Sequence, residues 1–175
     1  MALVFQYGSN TSEVRLNSEN RLNGTAKKIE IVYTLDKFDF DFTVWSKGNK
    51  CAVADLIPNG KNNIWGVLYK IPDERVFRNM KKGKEKCLDQ IEGEGYNYKR
   101  IKIKVSNTKG EIIDDEVYTY VALDIKREDN LKTNKDYVTH IINGLNENKI
   151  PNDYIDYVIG KINNNNPNIL QKSEL

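Results

Sequence analysis

Hydrophobic and polar residues alternate along much of the first half of the chain, which predicts β-strands. The segments KIEIVYTL and DFDFTVW show the period of two that is typical of half-buried strands. In KIEIVYTL we expect Ile29, Ile31 and Tyr33 to face the interior. The segment IWGVLYKI is apolar almost throughout, as in a strand buried on both faces. The predicted strands of this half cover residues 3–7, 28–35, 39–45, 51–57 and 64–71.

Helical spacing of apolar residues follows the last of these strands. Between residues 73 and 91, apolar side chains from Phe77 to Ile91 recur at near-helical intervals, which predicts one helix. Glu92-Gly93 would end it, because glycine is favoured just past a helix terminus. We therefore expect Glu92 to lie at the end of this helix.

A second, short helix is predicted directly after the first strand. Asn10 and Glu13 have the spacing of a capping box, with Asn in place of Ser or Thr. This helix would carry Val14 and Leu16 inward.

The last third of the chain is predicted to be helical. Tyr137, Ile141 and Leu145 form one apolar stripe, and Pro151 opens a second helix that reaches residue 162. The asparagine-rich segment 163–175 is predicted to be a flexible polar tail.

Residues 96–123 complete the sheet as a hairpin, with its turn at residues 107–110. Strands that follow each other with few helices between them indicate an α+β protein with a mixed or antiparallel, curled or closed sheet and flanking helices. We find no linker, so residues 1–162 are predicted to form a single domain.

The composition argues against several classes of protein. The chain has 175 residues, of which 39% are hydrophobic and 30% charged, and no apolar run approaches the roughly 20 residues of a membrane span. Two cysteines without a signal peptide predict a reducing, cytoplasmic location. One histidine and no Cys-x-x-Cys pair argue against a structural zinc site.

Charge gives little indication of a macromolecular partner. The formal net charge is +2, and the basic run RNMKKGKEK (78–86) has no aromatic residues between its lysines to stack on bases. We interpret this run as a solvated helix face and expect neither a nucleic-acid nor a membrane partner. The sequence does not predict an oligomeric state.

Two short motifs carry candidate chemistry. In FQYGSN, a glycine turn follows a buried strand, so backbone N–H groups and a helix start could bind a carboxylate or an oxyanion. In LDQIEGEGYNYKR, Glu92 lies at a helix C-terminus, where the dipole disfavours its ionised form, and an apolar cavity would add to this effect. Taken singly, both motifs also have purely structural explanations.

Together, these motifs resemble one family. FQYGSN, NNIWGVLYKIP, LDQIEGEGYNYKRIKI and YVTHIINGLNENKIPNDYI occur in the order seen in the γ-glutamyl cyclotransferase and AIG2-like family, over residues 3 to 160. The resemblance implies a small mixed β-barrel with flanking α-helices and an enzyme whose catalytic acid/base is Glu92. It also implies a substrate-binding set that consists of Tyr7, Gly8, Ser9, Asn10, Tyr98 and Tyr137.

The implied reaction suits these residues. A γ-glutamyl amide carries its own nucleophile, because its α-amine can close a five-membered ring on the γ-carbonyl and release 5-oxoproline with a free amine or amino acid. The enzyme needs a cradle for the folded substrate and one carboxyl that moves protons. The implied ligand is a small γ-glutamyl molecule, and no cofactor or metal is required.

The sequence leaves several alternatives open. Either Tyr96 or Tyr98 could line the site. A rival enzyme mechanism would use Ser9 as a nucleophile and His140 as its base. The chain departs from the family at Gln6, where a small residue is usual, and at Thr11, where leucine or methionine is common. Asn10, where glutathione-degrading relatives usually have leucine, disfavours that branch. A non-catalytic AIG2-like binding or interaction module is the alternative function.

Overall fold

The computed structural model describes residues 1–167 and 169–170. The strands are β1 (Ala2–Gln6), β2 (Lys27–Thr34), β3 (Phe38–Ser46), β4 (Cys51–Pro58), β5 (Trp65–Ile71), β6 (Tyr98–Ile103), β7 (Val105–Asn107) and β8 (Val117–Ala122). The helices are α1 (Glu13–Leu16), α2 (Asp73–Val76), α3 (Leu88–Ile91), α4 (Lys135–Glu147) and α5 (Asn152–Asn165), with single 3-10 turns at Ser9–Thr11, Arg78–Met80 and Asp124–Lys126.

Six strands form a mixed sheet in the order β6-β8-β1-β5-β2-β7. β1 runs parallel to β8, and the other pairs are antiparallel. β6 and β7 lie at opposite ends of this order although only Lys104 separates them in sequence. The two edges must therefore approach each other, and the sheet curls into a half-barrel. The predicted α+β class with a curled mixed sheet and flanking helices is confirmed.

β3 and β4 form a separate two-stranded sheet that completes the fold. Their inward side chains, Phe40 and Phe42 of β3 and Leu56 of β4, are buried with the apolar residues of the six-stranded sheet and of α4 and α5 in one core. Burial of such side chains is the main force that holds the layers together.

The prediction of one helix over residues 73–91 is wrong. α2 ends at Val76, a 3-10 turn follows, and residues 81–87 have no regular structure before α3 begins. The basic run lies in this break, so it is not a helix face. Gly83 takes a φ of +69° there, and neighbouring lysines repel each other in a helix, so neither favours a continuous helix.

The first short helix begins two residues later than predicted. Its N-cap is Ser12, whose side chain accepts a hydrogen bond from the backbone N–H of Arg15. Val14 is 78% exposed, contrary to prediction, whereas Leu16 is fully buried as expected. The side chain of Asn10 does not cap the helix and donates to Glu92 instead.

The inward face of β2 also differs from the prediction. The pairing of β2 with β5 shifts between Lys28 and Glu30, which makes a bulge at Ile29. A one-residue shift moves every later side chain to the opposite face. Ile29 is consequently 47% exposed, and Val32 and Thr34 are buried instead.

The predicted hairpin is correct only in part. β6 pairs with β8 as expected, and the backbone N–H of Gly110 bonds the Asn107 carbonyl in the predicted turn. However, β7 leaves the hairpin to pair with β2. At the C-terminus, α5 continues to Asn165, so the predicted boundary at residue 162 lies inside the helix. Residues 168 and 171–175 of the predicted tail lie outside the described residues.

Candidate active site

One cavity brings together both motifs that carry candidate chemistry. It lies between the turn after β1, the β3–β4 hairpin, the segment after α3 and the start of α4, and its volume is about 100 Å³. This is room for several waters or a small polar group. The cavity is lined by Gln6, Tyr7, Gly8, Ser9, Asn10, Arg15, Arg21, Val44, Trp45, Ser46, Asn49, Val53, Ala54, Ile91, Glu92, Asn97, Tyr98, Tyr120 and Tyr137.

Thr11 holds the turn after β1 in place through hydrogen bonds of its carbonyl and hydroxyl groups. The Thr11 carbonyl accepts from Tyr69 Oη at 3.1 Å and from Asn148 Nδ2 at 2.9 Å, and the Thr11 hydroxyl donates to the Gly8 carbonyl at 2.8 Å. A Cβ on Gly8 would lie 3.2 Å from the Ala54 Cβ, on the opposite wall. Glycine therefore keeps the turn open where the chain meets the cavity.

Glu92 lies next to this turn, where α3 ends. It is the C-cap of α3, as predicted, and Gly93 follows with a φ of +65°. Its Oε1 accepts from Asn10 Nδ2 at 2.7 Å and lies 3.6 Å from Arg21 Nη2. The surroundings of the Glu92 carboxylate are therefore polar at Oε1.

A chain of hydrogen bonds sets the orientation of this wall. Arg21 Nη2 donates to Asn10 Oδ1 at 2.7 Å, and because arginine is a donor only, the Asn10 amide must turn its N–H groups toward Glu92 and Gln6. Gln6 Oε1 accepts from Asn10 Nδ2 at 3.1 Å. Both N–H groups of Asn10 are thus used, and Asn10 orients the carboxylate of Glu92.

Three buried tyrosines close the inner end of the cavity. Tyr7 Oη donates to the Tyr120 carbonyl and Tyr98 Oη to the Ala54 carbonyl, both at 2.8 Å, while Tyr137 Oη accepts from the Ala54 N–H at 3.1 Å. Burial raises the pKa of all three above the ordinary tyrosine value. They are neutral at physiological pH.

The structure distinguishes between the two candidate tyrosines after Glu92. Tyr98 lines the cavity, whereas Tyr96 is 61% exposed and lies under Lys126 on the outer surface. Tyr98 starts β6, and the turn of Gly93 and Gly95 directs the chain into that strand.

Asp89 does not line the cavity, but it connects elements that form the cavity wall. This buried carboxylate accepts from Tyr120 Oη at 2.7 Å and from the backbone N–H of Arg78 at 2.9 Å, and it pairs with Arg100. The Tyr120 carbonyl in turn accepts from Tyr7. Asp89 therefore links α3, which carries Glu92, to the strands that carry the tyrosines.

Ser9 has no partner of the kind a nucleophile needs. Its Oγ accepts from Arg15 Nε at 3.0 Å, and no hydrogen bond among the described residues joins it to His140. His140 does not line the cavity, and burial lowers its pKa below the ordinary value. The geometry does not favour the Ser9–His140 alternative.

The seven residues named from the sequence all line this one cavity. Sequence reasoning did not find Arg15 and Arg21, which enter it from α1 and from the loop after α1. The chain has 27 basic residues, and no sequence pattern separates Arg15 and Arg21 from the others. Only their contacts with Ser9 and Asn10 in the folded chain do so.

Among residues 1–167 and 169–170, no group of three or more His, Cys, Asp or Glu side chains could hold a metal ion. No helix among these residues is long and apolar enough to cross a membrane.

The fold matches solved structures closely. A structure described as a gamma-glutamyl cyclotransferase superposes with a TM-score of 0.74 at 23% identity, over 90% of this chain and 86% of that one. An uncharacterized protein from Homo sapiens gives a TM-score of 0.74 at 24% identity over the same shares. YkqA from Bacillus subtilis gives 0.71 at 20% identity, over 93% of this chain and 54% of its own. At these identities, the likeness defines the fold alone.

The family follows from the sequence model that matches. The model described as the AIG2-like family matches residues 63–158, more than half of the chain. No curated protein sequence matches significantly. The chain has the γ-glutamyl cyclotransferase-like fold and belongs to the AIG2-like family.

Proposed function

We propose that this protein is a γ-glutamyl cyclotransferase-type enzyme, which cleaves a γ-glutamyl amide to 5-oxoproline and a free amine or amino acid. One observation carries the proposal: the Glu92 carboxylate and the turn of Gly8 to Asn10 line the same cavity, where Asn10 and Glu92, 82 residues apart in sequence, share a 2.7 Å hydrogen bond. The name of the cyclotransferase that shares the fold is consistent with it.

In the first step, Glu92 takes a proton from the α-ammonium of the substrate. Asn10 holds Oε1, and no hydrogen bond among the described residues occupies Oε2, so this oxygen is available for proton transfer. The freed amine attacks the γ-carbonyl carbon, a C–N bond forms, and the carbonyl π electrons move to oxygen. The folded substrate brings nucleophile and carbonyl together at a high effective molarity.

In the second step, the tetrahedral intermediate collapses. The bond to the leaving nitrogen breaks while Glu92 passes a proton to that nitrogen. The attacking nitrogen loses two protons in total and the leaving amine gains two, so it departs as an ammonium and no water is consumed. The backbone N–H groups of Ser9 and Asn10 begin a 3-10 turn that cannot itself satisfy them, so they can stabilise the oxyanion or bind the α-carboxylate.

The remaining lining residues suit a small polar substrate. Tyr7, Tyr98 and Tyr137 are held neutral by burial, so they shape the cavity without adding charge. We also propose a cytosolic location, in keeping with Cys51 and Cys87 as free thiols, and we propose no cofactor.

The alternative is an AIG2-like module that binds a small molecule without turnover. The pairing of Glu92 with Arg21 and Asn10 favours this alternative, because a carboxylate with such partners can anchor the turn without taking part in catalysis. Against it, the Glu92 side chain is 20% exposed and faces the cavity instead of bulk solvent.

The substitution Glu92→Gln separates the two functions. The amide keeps an oxygen that can accept from Asn10, but it cannot take up a proton. We expect the variant to fold and bind a γ-glutamyl ligand while it releases no 5-oxoproline from a panel of γ-glutamyl dipeptides and amines. Turnover equal to that of the wild type would refute the role of Glu92. A wild type that binds the panel but turns over none of it would favour the binding module.

A further inference from the structure

Arg15 is a cation in the cavity wall whose described partners are all neutral. Its Nε donates to Ser9 Oγ at 3.0 Å, one Nη donates to Asn49 Oδ1 at 2.9 Å, and the guanidinium lies 5.9 Å from the centre of the Tyr137 ring. No carboxylate of the described residues lies within ion-pair distance of it. Arginine has five N–H donors, so part of its fork is free.

The charges around the cavity do not balance. Arg15 and Arg21 both line it, but the lining holds a single carboxylate, Glu92, which pairs with Arg21. Burial, together with the repulsion from Arg21, lowers the pKa of Arg15. A partly buried charge without a counter-charge is unfavourable, and an anionic ligand group would relieve it.

The position of Arg15 is fixed in advance. Ser9 belongs to the turn after β1, Asn49 to the β3–β4 hairpin and Tyr137 to α4, so three separate parts of the fold hold one side chain. A fork held in this way loses little entropy when it binds, and its planar geometry matches a carboxylate.

We propose that Arg15 binds a carboxylate of the substrate and makes the enzyme selective for γ-glutamyl compounds that carry it. The inference rests on the proposed function for the identity of the ligand. Two substrate groups have this chemistry: the α-carboxylate of the γ-glutamyl part, and the carboxylate of a leaving amino acid.

Three substrates separate these sources. The first is L-γ-glutamyl-L-alanine. The second is γ-glutamylethylamide, in which the leaving group lacks only the carboxylate of alanine. The third is γ-glutamyl-alanine with a carboxamide in place of the glutamyl α-carboxylate. Release of alanine or ethylamine is measured for the wild type, Arg15→Met and Arg15→Lys. Lys161→Met is the matched control, because Lys161 lies 5.8 Å from the Tyr157 ring and does not line the cavity.

We expect Arg15→Met to lower kcat/KM for γ-glutamyl-alanine by about 10- to 100-fold, mainly through KM, as for loss of a charge-assisted hydrogen bond. If Arg15 binds the leaving carboxylate, turnover of the ethylamide is unchanged. If it binds the α-carboxylate, the ethylamide loses the same factor and the carboxamide substrate is insensitive to the substitution. Arg15→Lys should retain part of the preference for substrates that carry the carboxylate, and Lys161→Met should retain all of it.

The inference fails if all three substrates are unaffected by Arg15→Met, or if all three lose the same factor, since that would mean a structural role. Its failure is distinguishable from failure of the proposed function. If the wild type turns over none of the compounds, the proposed function fails, and the same three compounds are titrated as ligands by calorimetry. Carboxylate-dependent binding that is lost in Arg15→Met then supports the inference, and binding that does not depend on Arg15 overturns it.

Discussion

Asn10 donates from Nδ2 to Glu92 Oε1 at 2.7 Å, across 82 residues of sequence. The same amide donates to Gln6 and accepts from Arg21, so all of its hydrogen-bonding groups are engaged within the wall of the cavity. The side chain of Asn10 therefore orients Glu92, and its backbone remains the part that can meet a substrate. That Asn10 belongs to the substrate-binding set stays a prediction, which its backbone could fulfil.

We expect Asn10→Ala to lower kcat for 5-oxoproline release by about 10- to 100-fold, with a smaller change in KM. Loss of the amide leaves the carboxylate with a poorly fixed orientation, and misplacement of a catalytic group by about 1 Å costs this much. Steady-state kinetics on one γ-glutamyl dipeptide measures the split. An unchanged kcat would show that Glu92 does not need Asn10.

Arg21 is expected to act on Glu92 both through Asn10 and through its own ion pair with the carboxylate. Arg21→Met removes the donor that fixes the Asn10 amide, so kcat should fall, and Arg21→Lys should recover part of it. The sharper measurement is a double-mutant cycle, because residues of one hydrogen-bond network are not additive. Because Arg21 also lies 3.6 Å from Glu92, the variant with both Arg21→Met and Asn10→Ala should be slower than Asn10→Ala alone, but by less than the product of the two single losses. Fully additive losses would place Arg21 in an independent role.

The positions of most strands along the chain were predictable from local patterns, whereas their order in the sheet was not. Period-two alternation located β3, and the continuous apolar run located β5, because both patterns report burial directly. The break between α2 and α3 was not predictable, because Phe77 and Leu88 keep a helical spacing while the lysines between them do not support a helix. The bulge at Ile29 arises from pairing with β5, which local alternation does not reveal.

The candidate site likewise contains residues that the sequence identified and residues that it did not. Gly8 and Glu92 stand out in short motifs, so the sequence identified them. Arg15 and Arg21 act through contacts with residues of the turn that depend on how α1 and the following loop fold back. No local pattern marks these two arginines.

Gly144 allows α4 to lie directly on the turn after β1. A Cβ at this position would come within 2.3 Å of Thr11 Oγ1 and 2.5 Å of the Ser12 nitrogen. We expect Gly144→Ala to lower the free energy of unfolding by about 1–3 kcal/mol, measured in urea, despite the better helix propensity of alanine. The control is Gly160→Ala in α5, where a Cβ meets nothing within 4 Å; it should stabilise by about 0.5–1 kcal/mol. Equal effects of the two substitutions would contradict this account.

Asp55 is a fully buried carboxylate on β4 that depends on Arg127. Its Oδ2 accepts from Arg127 Nε at 2.7 Å and its Oδ1 from the Ala122 N–H at 2.7 Å. Arg127→Met should lower the free energy of unfolding by about 3–5 kcal/mol, because it leaves a buried charge without its counter-charge. Lys161→Met, which breaks a surface pair with Asp41, should cost less than about 1 kcal/mol. A similar small loss for both variants would show that Asp55 does not need its partner.

The buried tyrosines make the folded chain sensitive to alkali. Burial raises the pKa of Tyr7 and Tyr98 well above the ordinary tyrosine value, so between about pH 10 and that higher value the unfolded state has lost protons that the folded state keeps. Their contribution to stability is complete below about pH 10 and is lost as pH rises further.

We therefore expect the free energy of unfolding to fall above about pH 10, by up to about 1.4 kcal/mol per pH unit for each such tyrosine. Tyr98→Phe should be less stable than the wild type at pH 8, because the Ala54 carbonyl loses its donor, but its stability should fall less steeply above pH 10. Urea unfolding at a series of pH values, with tyrosinate absorbance followed in parallel, gives both slopes. Identical slopes for the two proteins would mean that Tyr98 ionises as readily in the folded chain as in the unfolded one.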